Sequence, residues 1–140
     1  PEMIAGVDGV HACTDITGFG LGGHASEMAA ASNVTISIDL HALPIIPGVL
    51  EMAAHNASGG MKTNREYFSS GIEFTPASLE GPGSEARRDL LFDPQTSGGL
   101  LVSVSASSAE DVFQGLRSVG IQAAFVGSVI AASGPRIRVG

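Results

Sequence analysis

Val34-Thr35-Ile36-Ser37-Ile38-Asp39-Leu40 alternates apolar with polar residues at period two and is rich in β-branched side chains. That pattern predicts a strand with one buried face. Leu100 to Val104, Ala123 to Ile130 and Arg136 to Val139 are shorter apolar runs that also read as strands, and Tyr67 to Phe74 allows one more. Helical signals lie between them. Leu21 to Ala31 carries Ala, Met and Glu, and Asn33 punctuates its end. Gly48 to Ala54 follows Pro47, which suits a first helical turn. Glu85 to Phe92 fits a brief helix, and Ala109 to Val119 an amphipathic one capped by Ser108. Pro1 to Ala12, broken by Gly6 and Gly9, reads as a connecting segment, and the glycine-rich stretch Ser58 to Glu66 as a solvated loop. Thr75 to Ser84, with two prolines and two glycines, reads as another loop. Strands and helices mixed in this way predict an α+β fold, a mixed β-sheet packed by helices.

Composition narrows the function classes. At 140 residues the chain fits a single domain, 1–140, and its 44% hydrophobic content argues for a packed core over disorder. Net charge is −7 and no basic run is present, which argues against a nucleic-acid surface. No stretch approaches a membrane span. Cys13 is the only cysteine, so an internal disulfide and a multi-cysteine metal site are both excluded, and the cytoplasm is the expected compartment. A thiol at Cys13 is expected to be small and buried. The histidines His11, His24, His41 and His55 lack the short spacings of zinc ligands and are expected to serve as surface or hydrogen-bonding residues.

The chemistry concentrates in Thr14-Asp15-Ile16-Thr17-Gly18-Phe19-Gly20-Leu21-Gly22-Gly23-His24. A carboxylate and hydroxyls precede four glycines, and a helix-like run starts where the glycines stop. Free N–H groups at a helix N-terminus favour a phosphate, and glycines let the main chain approach it. Asp15 adds a hard oxygen ligand that can hold Mg²⁺ against phosphate oxygens. The acidity of the chain makes such a metal more necessary, since a bare polyphosphate would meet net negative charge. The glycine spacing is neither that of the P-loop nor that of a dinucleotide fold. A second reading therefore stands beside the first: Asp15 or Thr17 caps a turn, and the glycines permit close helix packing.

A second polar, glycine-ended loop, Asp93-Pro94-Gln95-Thr96-Ser97-Gly98-Gly99, follows the apolar run Leu90-Leu91-Phe92, and Asn64-Arg65-Glu66-Tyr67 lies between the two. Together, from about His11 to Val129, these stretches resemble the C-terminal half of selenophosphate synthetase (selenide, water dikinase), within the aminoimidazole ribonucleotide synthetase-like group. The resemblance implies an enzyme that makes selenophosphate, AMP and phosphate from ATP, selenide and water, with Mg²⁺ between nucleotide phosphates and aspartates. It implies two domains per chain and a dimer, with ATP gripped by an N-terminal domain and covered by the C-terminal one. Asp15 matches the family's C-terminal metal aspartate. Thr14, Thr17, Gly18 and Gly20 are expected to frame the phosphate end, and Asn64, Gln95, Thr96 and Ser97 to line the same cleft.

The family's N-terminal aspartates, glycine-rich segment, catalytic Cys or selenocysteine and catalytic Lys have no counterparts here. Cys13 sits in the wrong motif to replace that residue. No catalytic residue is therefore assigned, and the chain alone is expected to be inactive, ATP and selenide being held through the absent domain. Two alternatives stay open: an aminoimidazole ribonucleotide or thiamine-monophosphate enzyme of the same fold group, and a non-catalytic interaction domain.

Overall fold

The computed structural model describes residues 8–53 and 56–140. Its centre is a four-stranded mixed sheet of order β3-β6-β2-β5. The alternating segment forms β2 (Val34–Ile38), antiparallel to β5 (Gly127–Ala131) and parallel to β6 (Ile137–Val139). β3 (Ile72–Phe74) runs parallel to β6 on its other side. Because β6 is flanked by β3 and β2, Ile137 and Val139 are fully shielded from solvent. This is the expected α+β architecture.

Helix α1 (Gly20–Ser32) lays Leu21, Ala25 and Ala29 on the core, then stops at Asn33. Asn33 adopts the left-handed conformation at φ 51°, and its N–H closes the helix on Ala29 and Ala30 carbonyls. The same core takes Ile36, Ile38 and Leu40 from and just after β2, Met61 and Phe68 from α3 (Gly59–Phe68), and Ile72, Leu91 and Phe92. Burying a side chain such as Phe92 contributes about 1.5–3 kcal/mol. Two short helices, α2 (Val49–Ala53) and α4 (Ser84–Leu90), pack together beside it. A separate two-stranded antiparallel ribbon pairs β1 (Val10–Asp15) with β4 (Leu100–Val104), and α5 (Ala109–Ser118) follows β4.

Several local expectations are corrected. Residues Val10 to Ala12 belong to β1 and not to a connector, because Val10, Ala12 and Thr14 turn inward while His11, Cys13 and Asp15 turn outward. That pleat also leaves the Cys13 thiol exposed, where burial was expected. Ser58 to Glu66 is largely helical: the Ser58 hydroxyl accepts the Met61 N–H at 3.1 Å, starting α3, and Met61, Asn64 and Phe68 face the core. The strand expected over Tyr67 to Phe74 shrinks to Ile72–Phe74, since Tyr67 and Phe68 complete α3 and Ser69–Gly71 forms a 3-10 turn.

The loop from Thr75 to Ser84 contains a 3-10 turn at Pro76–Leu79, with Pro76 opening it. Ser108 supplies no side-chain cap to α5, because it is hydrogen-bonded to the Ser105 hydroxyl at 3.0 Å. The strand expected over Ala123 to Ile130 begins only at Gly127, where β5 comes against the backbone of Ser37. His55 and Ala54 lie outside the described residues, as does the segment before Asp8.

Candidate functional site

β1 and β4 bring the two polar loops to the same end of the ribbon, since Asp15 pairs with Leu100 across it. Beyond that pair the loops are joined backbone to backbone. The Ile16 N–H donates to the Gly99 carbonyl at 2.9 Å, and the Gln95 N–H donates to the Thr17 carbonyl at 3.0 Å. Chain segments about 80 residues apart thus form one continuous polar edge.

Glycines make this approach possible, though not in the way the motif suggested. α1 begins within the glycine run, at Gly20, and not after it. A Cβ on Gly20 would sit 2.7 Å from the Leu91 carbonyl oxygen, and the backbone there has φ +69°. A Cβ on Gly23 would lie 2.6 Å from Phe19 Cβ and 2.8 Å from the Phe68 ring. These glycines serve close packing of α1 against the chain that leads into the second loop. Two N–H groups of the first turn are also engaged: Gly20 donates to Thr17 at 3.0 Å and Gly22 to Leu91 at 2.7 Å. The helix end therefore offers an anion fewer free donors than an open N-terminus would. Gly18 alone among them has open space around it.

Asp15 ends β1 with its side chain exposed. Among the described residues the ion pairs are Arg65–Asp89 and Arg138–Glu73, His24 Nδ1 lies 4.0 Å from a Glu27 carboxylate oxygen, and none of these contacts involves Asp15. Thr14 directs its hydroxyl to the Asp15 carbonyl at 3.2 Å. The Thr17 hydroxyl is within 3.1 Å of His24 Nε2, and the His24 ring lies 5.5 Å from that of Phe19. Thr96 and Ser97 are exposed at the tip of the second loop, and Gln95 is half-buried behind them. Asp93, whose carboxyl is pushed above the usual carboxylate range by burial, stands at the base of that loop.

Asn64 is placed differently from the other candidates. It is buried, and its amide nitrogen donates to the Gly18 carbonyl at 2.8 Å and to the Phe92 carbonyl at 3.0 Å. Next to it Arg65 is committed to Asp89 and lies over the Phe92 ring, 5.6 Å from its centroid. Arg65, about half exposed, is thus held by partners within the chain, while Lys62 beside it is exposed. The structure gathers Asp15, Thr17, Gly18, Asn64 and Gln95, and adds His24, which the motif contained but whose contact with Thr17 no spacing rule revealed. The outward placement of His11 and Cys13 on β1, beside Asp15, was missed, although the alternation Val-His-Ala-Cys-Thr-Asp carried the signal for it.

Among the described residues no three His, Cys, Asp or Glu side chains gather to hold a metal ion. Asp15, an exposed carboxylate, could supply one oxygen ligand to a Mg²⁺ ion, which would need its remaining ligands from phosphate oxygens, water or carboxylates outside this edge. A cleft of about 400 Å³ lies away from the loops, among Tyr67, Phe68, Ser70 and Arg136.

Residues 2–140 match the family of the AIR synthase related protein, C-terminal domain. The chain is 45% identical to the selenide, water dikinase of Clostridioides difficile over 86% of its own length and 34% of that protein. It is 42% identical to the Pelobacter propionicus enzyme of that name over 98% of the chain and 38% of the relative, and 40% identical to the Escherichia coli one over 96% and 37%. The chain thus spans little more than a third of the length of the curated relatives it matches. In fold it is similar to the E. coli hydrogenase maturation protein HypE, with a TM-score of 0.61 at 24% identity, covering 99% of this chain and 34% of that one. A thiamine-monophosphate kinase from Stenotrophomonas maltophilia gives a TM-score of 0.56 at 19% identity, over 94% and 31%. By the match across nearly its whole length, the chain belongs to the family of C-terminal domains of AIR synthase related proteins.

Proposed function

We propose that this chain is the C-terminal part of a selenide, water dikinase, which forms selenophosphate, AMP and phosphate from ATP, selenide and water. The observation that carries the reading is 42% identity across 98% of the chain to an enzyme of that name. The joined loops supply its physical side. Asp15 serves as one Mg²⁺ ligand, while Thr14, Thr17, Gly18 and Gly20 border the phosphates from the first loop and Gln95, Thr96 and Ser97 border them from the second. Bound Mg²⁺ neutralises charge that spreads over phosphoryl oxygens during anhydride cleavage. The exposed edge acts as one wall of a site whose other wall, with the nucleotide grip and the catalytic residues, is an N-terminal domain outside this chain.

Dimerisation of the intact enzyme and a cytoplasmic location belong to the same proposal. Among the described residues no helix is long and apolar enough to cross a membrane. The decisive experiment follows the intact protein carrying this chain by ³¹P NMR, with ATP, Mg²⁺ and selenide. A selenophosphate resonance appearing together with AMP is expected. ATP consumption that ignores selenide but responds to thiamine monophosphate or another phosphate acceptor would assign the chain to a different enzyme of the same fold.

A further inference from the structure

Asn64 occupies a core-facing position of α3, between Met61 and Phe68 in a helix whose other polar residues are exposed. An amide there costs about 1–3 kcal/mol unless its hydrogen bonds are made. Both N–H groups are spent on carbonyls that belong to different loops: Gly18, 46 residues away, and Phe92, 28 residues away. The Gly18 carbonyl follows directly on Thr17, whose own carbonyl receives the Gln95 N–H. The Phe92 carbonyl leads directly into Asp93. The same helix meets the second loop again at its start, where a Cβ on Gly60 would lie 2.7 Å from Pro94 Cγ.

We infer that Asn64 is a positioning residue, a clamp that fixes the register of the two loops and so sets Thr96 and Ser97 against Asp15, and that it does not contact nucleotide itself. This rests on the function proposed above for its catalytic consequence, while the clamp itself rests on the hydrogen bonds alone. No donor of the side chain is left for a phosphate, since an amide has two N–H groups and both are used. Its carbonyl-directed geometry also explains why a carboxylate would not serve: Asp at this position turns acceptor oxygens toward acceptor carbonyls.

The test uses the intact protein with Asn64→Leu, which keeps the branched shape at a larger volume and removes the donors, and Asn64→Asp, which keeps the size and reverses the polarity. Hydrogen exchange at the Gly20 and Gln95 amides, both bonded to the Thr17 carbonyl, reads the clamp without any activity. In both variants these amides are expected to exchange at least about tenfold faster, as a hydrogen bond's worth of local stability is lost. The Ile36 amide, bonded to Arg136 in the central sheet, is expected to keep its protection. In selenide-dependent turnover, kcat is expected to fall roughly a hundredfold with KM for ATP little changed, the pattern of a misplaced catalytic wall.

Unchanged exchange at Gly20 and Gln95 overturns the clamp. Equal loss of protection at Ile36 overturns it in favour of a general packing role. A rise in KM for ATP at constant kcat overturns it in favour of direct nucleotide contact. Failure of the wild-type protein to respond to selenide would count against the proposed reaction and leave the exchange result to judge the clamp.

Discussion

The two loops are written in nearly the same letters, polar residues and then glycines, yet their glycines do different work. In the first loop Gly20, Gly22 and Gly23 are buried in α1, where side-chain atoms would strike the Leu91 carbonyl, Phe19 or Phe68. In the second, Gly98 and Gly99 are exposed; a Cβ on Gly98 would collide with the Ile16 carbonyl, whereas Gly99 has open space. The first loop is therefore anchored by its glycines to the core, and the second is fastened to the first. A polar-glycine string marks a place where backbones approach closely. Whether the approaching group is a ligand or another strand of the same chain is decided by what the fold brings there.

The largest effect that can break this contrast is Gly20→Val. It forces a β-branched side chain into left-handed backbone and against two carbonyl oxygens, so we expect a loss of about 3 kcal/mol or more in urea unfolding. A loss below about 1 kcal/mol would show that α1 can retreat from the second loop, and the anchoring would be refuted. Thr17→Val is expected to cost about 1 kcal/mol, the worth of its hydrogen bond to His24, with no change in the fold's circular dichroism. An effect indistinguishable from zero would mean that this contact does not order the first loop.

Smaller still is Asp93→Asn. Burial raises the Asp93 carboxyl above 3.8 in the folded protein, so folding favours its protonated form. That contribution is fully present below pH 3.8 and is lost as pH rises through the raised value. The asparagine variant should therefore be slightly more stable than wild type near pH 7, with the difference shrinking as pH falls toward 4. Denaturation curves at both pH values check it, and a gain that is constant with pH removes the titration from the account. Gly18→Ala closes the series with an expected change within about 0.5 kcal/mol, because nothing lies within 4 Å of its would-be Cβ. A loss as large as that at Gly20 would erase the distinction between anchoring and open glycines.

Regular, apolar parts of the fold were legible because their signals are local. β2 follows from strict alternation, and the end of α1 from Asn33. α3 was not legible as a helix, since Gly59-Gly60 argues against one and its buried face carries Asn64 where an apolar residue would have announced it. The positions of the motif residues were recognisable as strings, but their convergence was not. Asp15 meets Leu100 through long-range pairing, and the Asn64 bonds span 46 and 28 residues, distances over which no periodicity operates. Cys13 shows the reverse case. Residue type suggested burial, and the pleat of β1, which could be read from its neighbours, overruled it.

The central claim is that Asp15, exposed at the end of β1, is this chain's metal ligand in a site completed by another domain. Isothermal titration of the intact protein with ATP, with and without Mg²⁺, for wild type and Asp15→Asn tests it most directly. The account predicts Mg²⁺-dependent ATP binding that weakens about tenfold or more in Asp15→Asn, with the metal-free binding and the unfolding midpoint unchanged. Equal Mg²⁺-dependent affinity in the two proteins would contradict it.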